Sequence, residues 1–207
     1  MVSRRHPVVM VGTDPVEVEH RLRAGDLACG CGGRLHPWGH ARQRAVHGVG
    51  RLRPRRVRCG SCRITHVLLA VSCLLRRADA AEVIGAALTA KAVGAGHRRI
   101  AARLGRPATT VRGWLRALTR NAGRVRAVFT ALLVELDPLI GPLPVLGSGF
   151  ADAVAVIGAA AAAARRRLGA IGAVSAWQLA SAVTGGRLLA SVGSPGSINT
   201  SWPWAAG

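Results

Sequence analysis

The residues with the plainest chemistry are cysteines. Cys29 and Cys31 make a C-x-C pair in LACGCGGRLHPWG (27–39), and Cys59 and Cys62 make a C-x-x-C pair in VRCGSCRITH (57–66). Two close thiol pairs, each on a tight turn, are what a tetrahedral thiolate site for Zn2+ requires. The first pair is one residue shorter than a zinc knuckle usually has it. Gly32 and Gly33 nevertheless follow Cys31 directly, as glycine commonly follows the second cysteine of a knuckle, so the economical account is one missing residue between Cys29 and Cys31. His36 or His40 could substitute for Cys29 if the short turn aims it badly. Buried or stray cysteines are the plainer reading, and the falling of four thiols into two pairs weighs against it. Cys73, in LLAVSCLLRR and without a partner, reads as a small core residue. His66 is expected to pack or cap locally. A complete thiolate shell leaves no open coordination position, so the zinc is expected to be structural, helping to fold a segment poor in apolar residues.

A second constellation lies in HRRIAARLGRPATTVRGWLRAL, residues 97–118. A helix-turn-helix needs a small residue where its helices cross, which Ala101 supplies, and a residue tolerant of positive φ four positions later, which Gly105 supplies. Ile100, Leu104, Val111, Trp114 and Leu115 fall where the second helix must be held. On the outward face remain Thr109, Thr110, Arg112, Gly113 and Arg116. Arginine can donate in bidentate fashion to guanine, and threonine can meet phosphate or a thymine methyl. Arg98, Arg99, Arg103 and Arg106 are better placed for phosphates, which supply affinity and salt dependence without reading sequence. A helical hairpin for protein contacts is the alternative, and nine basic residues with no acidic one between 97 and 126 weigh against it. The run RLRPRRVR (51–58) is either a solvated strand face or a second phosphate contact. The attached ribbon favours phosphate.

Around these sites the charge is extreme and uneven. The chain of 207 residues carries 29 basic residues against 9 acidic ones, a formal +20, and every basic residue but Lys91 is arginine. Residues 1–126 hold 25 of the basic and 6 of the acidic residues, net +19, whereas residues 127–207 are close to neutral. A surface this positive repels itself unless a polyanion is its neighbour, and nucleic acid is the commonest. Half of the residues are apolar, which excludes bulk disorder. The apolar run near the start is only four residues long before Gly12, too short for a signal-peptide core, so the cysteines are expected to stay reduced in the cytoplasm. FADAVAVIGAAAAAA (150–164) contains Asp152 and is followed by three arginines. It falls short of the roughly 20 apolar residues of a membrane span, so no membrane association is expected.

The elements that position the sites follow from capping and breaker residues. In TDPVEVEHRLRAGDL, Asp14 can cap a helix, Pro15 suits its first position, Glu17 completes a capping box and Gly25 ends it. From 29 to about 70, glycine and arginine dominate, and RQRAV and RVRC alternate as short strands do. Helical sequence resumes at Ala78, broken at Gly94 and Gly96 and again at 105–107. DPLIGPLPVLGSG then forms a linker. The expected architecture is mainly α: an N-terminal capped helix (1–28), zinc-ribbon β-hairpins (29–75), a helix-turn-helix bundle (76–136), a linker (137–149) and C-terminal helices with a loose tail (150–207).

This order of parts, "CGG…W", "RC-x-x-C…TH" and an arginine-rich helix-turn-helix, resembles the N-terminal regions of insertion-sequence transposases and their accessory proteins. GTDPVEVEHRLRAGDLACGCGGRLHPWG, RADAAEVIGAALTAKAVGAGHRRIAARLGRPATTVRGWLRAL and GGRLLASVGSPGSINTSWPWAAG look more closely like a family of uncharacterised actinobacterial helix-turn-helix proteins, over nearly the whole chain. The resemblance implies DNA binding and little beyond; members carry a full C-x-x-C at the first knuckle, from which CGC departs. A transposase needs three carboxylates on an RNase H-like fold to hold two metal ions. Only Glu135, Asp137 and Asp152 follow the helix-turn-helix, with no run of strands around them. The expected function is therefore sequence-specific binding of double-stranded DNA without enzymatic activity, as a transcriptional regulator or as the DNA-recognition partner of a separate transposase or integrase. Thr109, Thr110, Arg112 and Arg116 would meet base edges, and a homodimer would suit a palindromic site. RNA binding and a protein-interaction adaptor are the alternatives. The shortage of aromatics for stacking unpaired bases counts against RNA.

Overall fold

The computed structural model describes residues 8–169 and 174–190. Among them are six helices and six strands, with every strand before residue 71. The expected loose tail from 194 onward lies outside the described residues. The chain divides into two compact units.

The first unit comprises the described residues up to Ala80 together with Ser181–Gly186. Its main sheet has the order β1-β6-β5-β2, from Val8–Val11 (β1), Thr65–Ala70 (β6), Arg55–Cys59 (β5) and Leu35–His40 (β2). β5 runs antiparallel to β2 and β6, whereas β1 lies parallel to β6, pairing Val8 with Val67 and Val11 with Ala70. Arg44–Val46 (β3) and Gly50–Leu52 (β4) form a separate two-stranded hairpin inserted between β2 and β5. Helix α1, Pro15–Ala24, begins where Asp14 Oδ1 accepts the Val16 N–H at 2.8 Å and ends at Gly25, which is left-handed. Both ends are the ones its sequence encodes.

Two cores flank the sheet. Val9, Val11, Leu35, Val57 and Leu68 are buried together with Val18 and Leu22 of α1, and with Cys29 and Cys59. Met10, Leu69 and Val71 pack with Val46 of β3 and with Cys73, which is the small core residue expected of it. The cysteine-bearing strands therefore do not stand alone. They share a core with α1 and with β1, a strand that the sequence pattern did not mark.

The second unit, described over 81–169, 174–180 and 187–190, is helical. It contains α2 (Ala81–Ala92), α3 (His97–Leu104), α4 (Ala108–Leu136) and α5 (Gly149–Leu168). The last helix among the described residues is α6, Ala176–Val183. Gly85 on α2 lies directly under Trp177, where a Cβ would occupy the indole ring. α4 is one continuous helix of 29 residues. The alanine face of α5 is buried against it, with Ala153, Ala160 and Ala164 at most 1 % exposed. Arg166 pairs with Asp137 at 2.9 Å, and Arg167 Nη1 donates to the Glu135 carbonyl at 2.8 Å. The Arg167 bond satisfies one of the carbonyls that the end of α4 leaves open.

Candidate metal centre and basic helix pair

The four paired cysteines come from two turns at one end of the sheet. The first turn leaves α1 and enters β2; the second joins β5 to β6. Each turn is built from the same backbone bonds, one residue out of step. At the C-x-x-C turn, Arg63 N–H donates to the Cys59 carbonyl (3.2 Å) and Cys59 N–H to the Ile64 carbonyl (2.9 Å). At the C-x-C turn, Gly32 N–H donates to the Cys29 carbonyl (2.8 Å) and Cys29 N–H to the Gly33 carbonyl (2.9 Å). The residue after the second cysteine is left-handed in both, Arg63 at φ 63° and Gly32 at φ 81°. The short knuckle is thus the long one with a single residue removed, and its closing geometry survives.

The four Sγ atoms lie within 4.8 Å of one another. Cys29 and Cys62 are 3.6 Å apart and Cys31 and Cys59 3.5 Å. Those separations far exceed the roughly 2.05 Å of a disulfide. They approach the ~3.8 Å edge of a tetrahedron built on Zn–S bonds of about 2.3 Å. All five cysteines are free. A cluster of four convergent thiols with one pair buried and one pair exposed is able to hold a metal ion, and Cys29 belongs to it despite the shortened spacing. His36 and His40, the alternative ligands to Cys29, are exposed on β2 and are not part of the cluster.

The thiols are electrostatically unequal. Burial opposes ionisation of Cys59, but the N–H groups of Cys62 and Ser61 and the Cys31 thiol outweigh it and bring the pKa down to about 6. Burial pushes Cys29 up to about 12, against the Cys31 N–H that favours its thiolate. Gly33 makes room for the cluster, since a Cβ there would lie 2.6 Å from Cys59 Sγ.

His66 has a role that sequence spacing did not reveal. It is buried on β6, its Nε2 lies 3.2 Å from Cys29 Sγ, and burial lowers its pKa. The contact is within hydrogen-bond reach and ties His66 to Cys29, the cysteine on the shortened turn. The one signal in the chain is its position four residues past Cys62. Which face it occupies depends on the β5–β6 register, where it pairs with Val57.

The basic residues of 97–116 lie on α3, on α4 and in the turn between them. Gly105 adopts φ 61°, ψ 35°, and Arg106 N–H reaches back to the Ala101 carbonyl at 3.0 Å, a closed helix C-terminus that glycine permits. Ile100, Ala101, Val111, Trp114 and Leu115 are buried, and Leu104 is half-buried. Arg98, Arg99, Arg103, Thr109, Arg112 and Arg116 are exposed, whereas Arg106 and Thr110 are half-buried. Gly113 is open, and a methyl group there would meet no atom within 4 Å. Arg112, Gly113 and Arg116 thus share the face of α4 opposite Val111, Trp114 and Leu118.

The chain matches no protein-family model, no curated protein and no solved structure. Among the described residues, no helix is long and apolar enough to cross a membrane.

Proposed function

We propose that the protein is a zinc-stabilised, cytoplasmic DNA-binding protein whose α3–turn–α4 segment is a helix-turn-helix reading duplex DNA. One observation carries the reading: the first two turns of α4 bury Val111, Trp114 and Leu115 while exposing Thr109, Arg112 and Arg116, in a stretch from 97 to 126 without one acidic residue. A face fixed from behind and cationic in front suits the major groove, with Arg112 and Arg116 donating to base edges and Thr109 and Thr110 beside them. Arg98, Arg99, Arg103 and Arg106 would take phosphates. Four thiolates favour zinc or iron over harder cations, and zinc needs no redox partner. Its part would be structural, with Cys29, Cys31, Cys59 and Cys62 holding the two turns together.

A non-enzymatic role is supported by how two of the three late carboxylates are used. Asp137 pairs with Arg166, and Asp152 lies 3.7 Å from Arg126 and accepts the Leu146 N–H. Carboxylates so engaged are poorly available as ligands for catalytic metal ions. The reading suits a transcriptional regulator or the recognition partner of a separate transposase or integrase, as the insertion-sequence resemblance implies, and a homodimer on a palindromic site.

Selection of bound duplexes from a random pool, on wild type and Arg112→Ala in parallel, tests it. Wild type is expected to enrich a defined site, and the substitution to relax one position by about 1–3 kcal/mol. Enrichment of nothing by wild type contradicts the reading. A second reading, a protein-interaction adaptor, is favoured by the groove of about 650 Å³ between α2 and α3, lined by Val93, Ile100 and Leu104 with Arg99 and Arg103. Nucleic-acid binding with a flat salt dependence would point there.

A further inference from the structure

Trp38 stands on β2, an edge strand, and is 52 % exposed. Leu35 is buried with α1, so alternation along β2 puts Trp38 on the outer sheet face, away from α1, next to where the β2–β5 register slips between Pro37 and His40. One side of the ring is already occupied: the Arg58 guanidinium carbon sits 4.7 Å from its centroid, within cation–π range. Arg58 is itself tethered, its Nε donating to the Arg63 carbonyl at 3.1 Å. Arg58 thereby braces one face of an indole that is about half exposed. His36 pairs with Arg58 across the strands, and Arg56 and Thr65 share this outer face by strand alternation. No residue of β2, β4, β5 or β6 is acidic.

We propose that this face is a second nucleic-acid site that takes an unpaired base of a single strand on the free side of Trp38, with Arg56 and Arg58 beside its phosphates. The flat indole decides the occupant. A duplex hides its base faces within the stack, and an acidic peptide would use the arginines but leave the ring unused. An unpaired base offers both a π-face and an adjoining negative charge. Pre-setting the ring on Arg58 removes the ordering loss that a mobile tryptophan would incur on binding. The site lies in the first unit, on residues the helix-turn-helix reading does not use, and stands whether or not α4 reads duplex DNA.

The test uses the full metal-loaded chain and three fluorescently labelled probes: a twelve-nucleotide oligothymidine, an abasic strand with the same number of phosphates, and a duplex. Binding is read by anisotropy for wild type, Trp38→Ala and Trp38→Phe. Wild type is expected to bind oligothymidine about tenfold more tightly than the abasic strand, a difference within the range for one stacked base. Trp38→Ala should erase that preference while leaving duplex affinity and metal content unchanged, and Trp38→Phe should retain most of it. Equal binding of the two single strands by wild type, or a preference surviving in Trp38→Ala, overturns the proposal. Loss of duplex binding in Arg112→Ala with the oligothymidine preference intact would separate this site from the one on α4.

Discussion

A Cβ at Gly33 would lie 2.5 Å from Ser61 Oγ and 2.6 Å from Cys59 Sγ, while one at Gly32 would meet nothing within 4 Å but must adopt φ 81°. The two neighbouring glycines therefore fail differently. Gly33→Ala is expected to displace Cys59 and weaken metal binding at least tenfold. Gly32→Ala should keep one metal per chain and lose about 1–2 kcal/mol to left-handed strain. Chelator competition and thermal melts distinguish them. The metal-free chain should also show opposed thiol linkage. Cys59, at about 6 against an ordinary 9.0, is ionised in the fold while still protonated in the unfolded chain across that window. Its contribution is complete above about 9 and is lost as pH falls through about 6. Cys29, at about 12, contributes fully below about 9 and loses its contribution as pH rises toward 12. The urea midpoint of chelator-treated protein should thus rise from pH 6 to 9 and fall beyond, and a steady decline over pH 6–9 would contradict the assignment. The cysteine pairs were legible because ligand chemistry is local in sequence. His66 and the exposure of Trp38 were not, because the pairing register decides which way each strand residue faces and what covers it.

At the scale of elements, the turn between α3 and α4 was written in the chain at Gly105, and the structure places it there with left-handed backbone. The cap of α1 was equally plain at Asp14 and Gly25. β1 was not. Its four residues pair in parallel with β6, across most of the first unit, and no local periodicity encodes a partner so distant in sequence. Gly113 supplies a test specific to α4. It is in mid-helix with open space around it, so Gly113→Ala should stabilise the fold by roughly 0.5–1 kcal/mol, seen as a higher melting temperature. The same substitution should weaken duplex binding if nucleic acid approaches the backbone there. Gly85→Ala should do the reverse to stability, because Trp177 fills the space its methyl would need.

For the molecule as a whole, the +20 charge makes ionic strength the first variable to control. If Arg98, Arg99, Arg103 and Arg106 meet phosphates, the plot of log affinity against log salt should have a slope of about −4 or steeper, and alanine at any one should flatten it by about 1. The imbalance of charge is legible in composition alone. The division into two units is not, since residues 181–186 join the first unit from far along the chain. Metal removal should act on that first unit. The core that Cys29 and Cys59 share with α1 and β1 gives the sheet apolar support, so chelation is expected to lower its thermal midpoint rather than abolish its transition, while the far-ultraviolet signal of the helices persists. In the second unit, 29 uninterrupted residues make α4 a shaft of about 44 Å. Thr109 and Arg112 ride at one end, and Arg166 and Arg167 clamp the other. Such a shaft turns angle into distance. A tilt of about ten degrees about its clamped end would sweep the opposite tip by roughly 7–8 Å, more than the height of one helical turn. The packing of α2, α3 and α5 along it therefore sets where Thr109 and Arg112 stand.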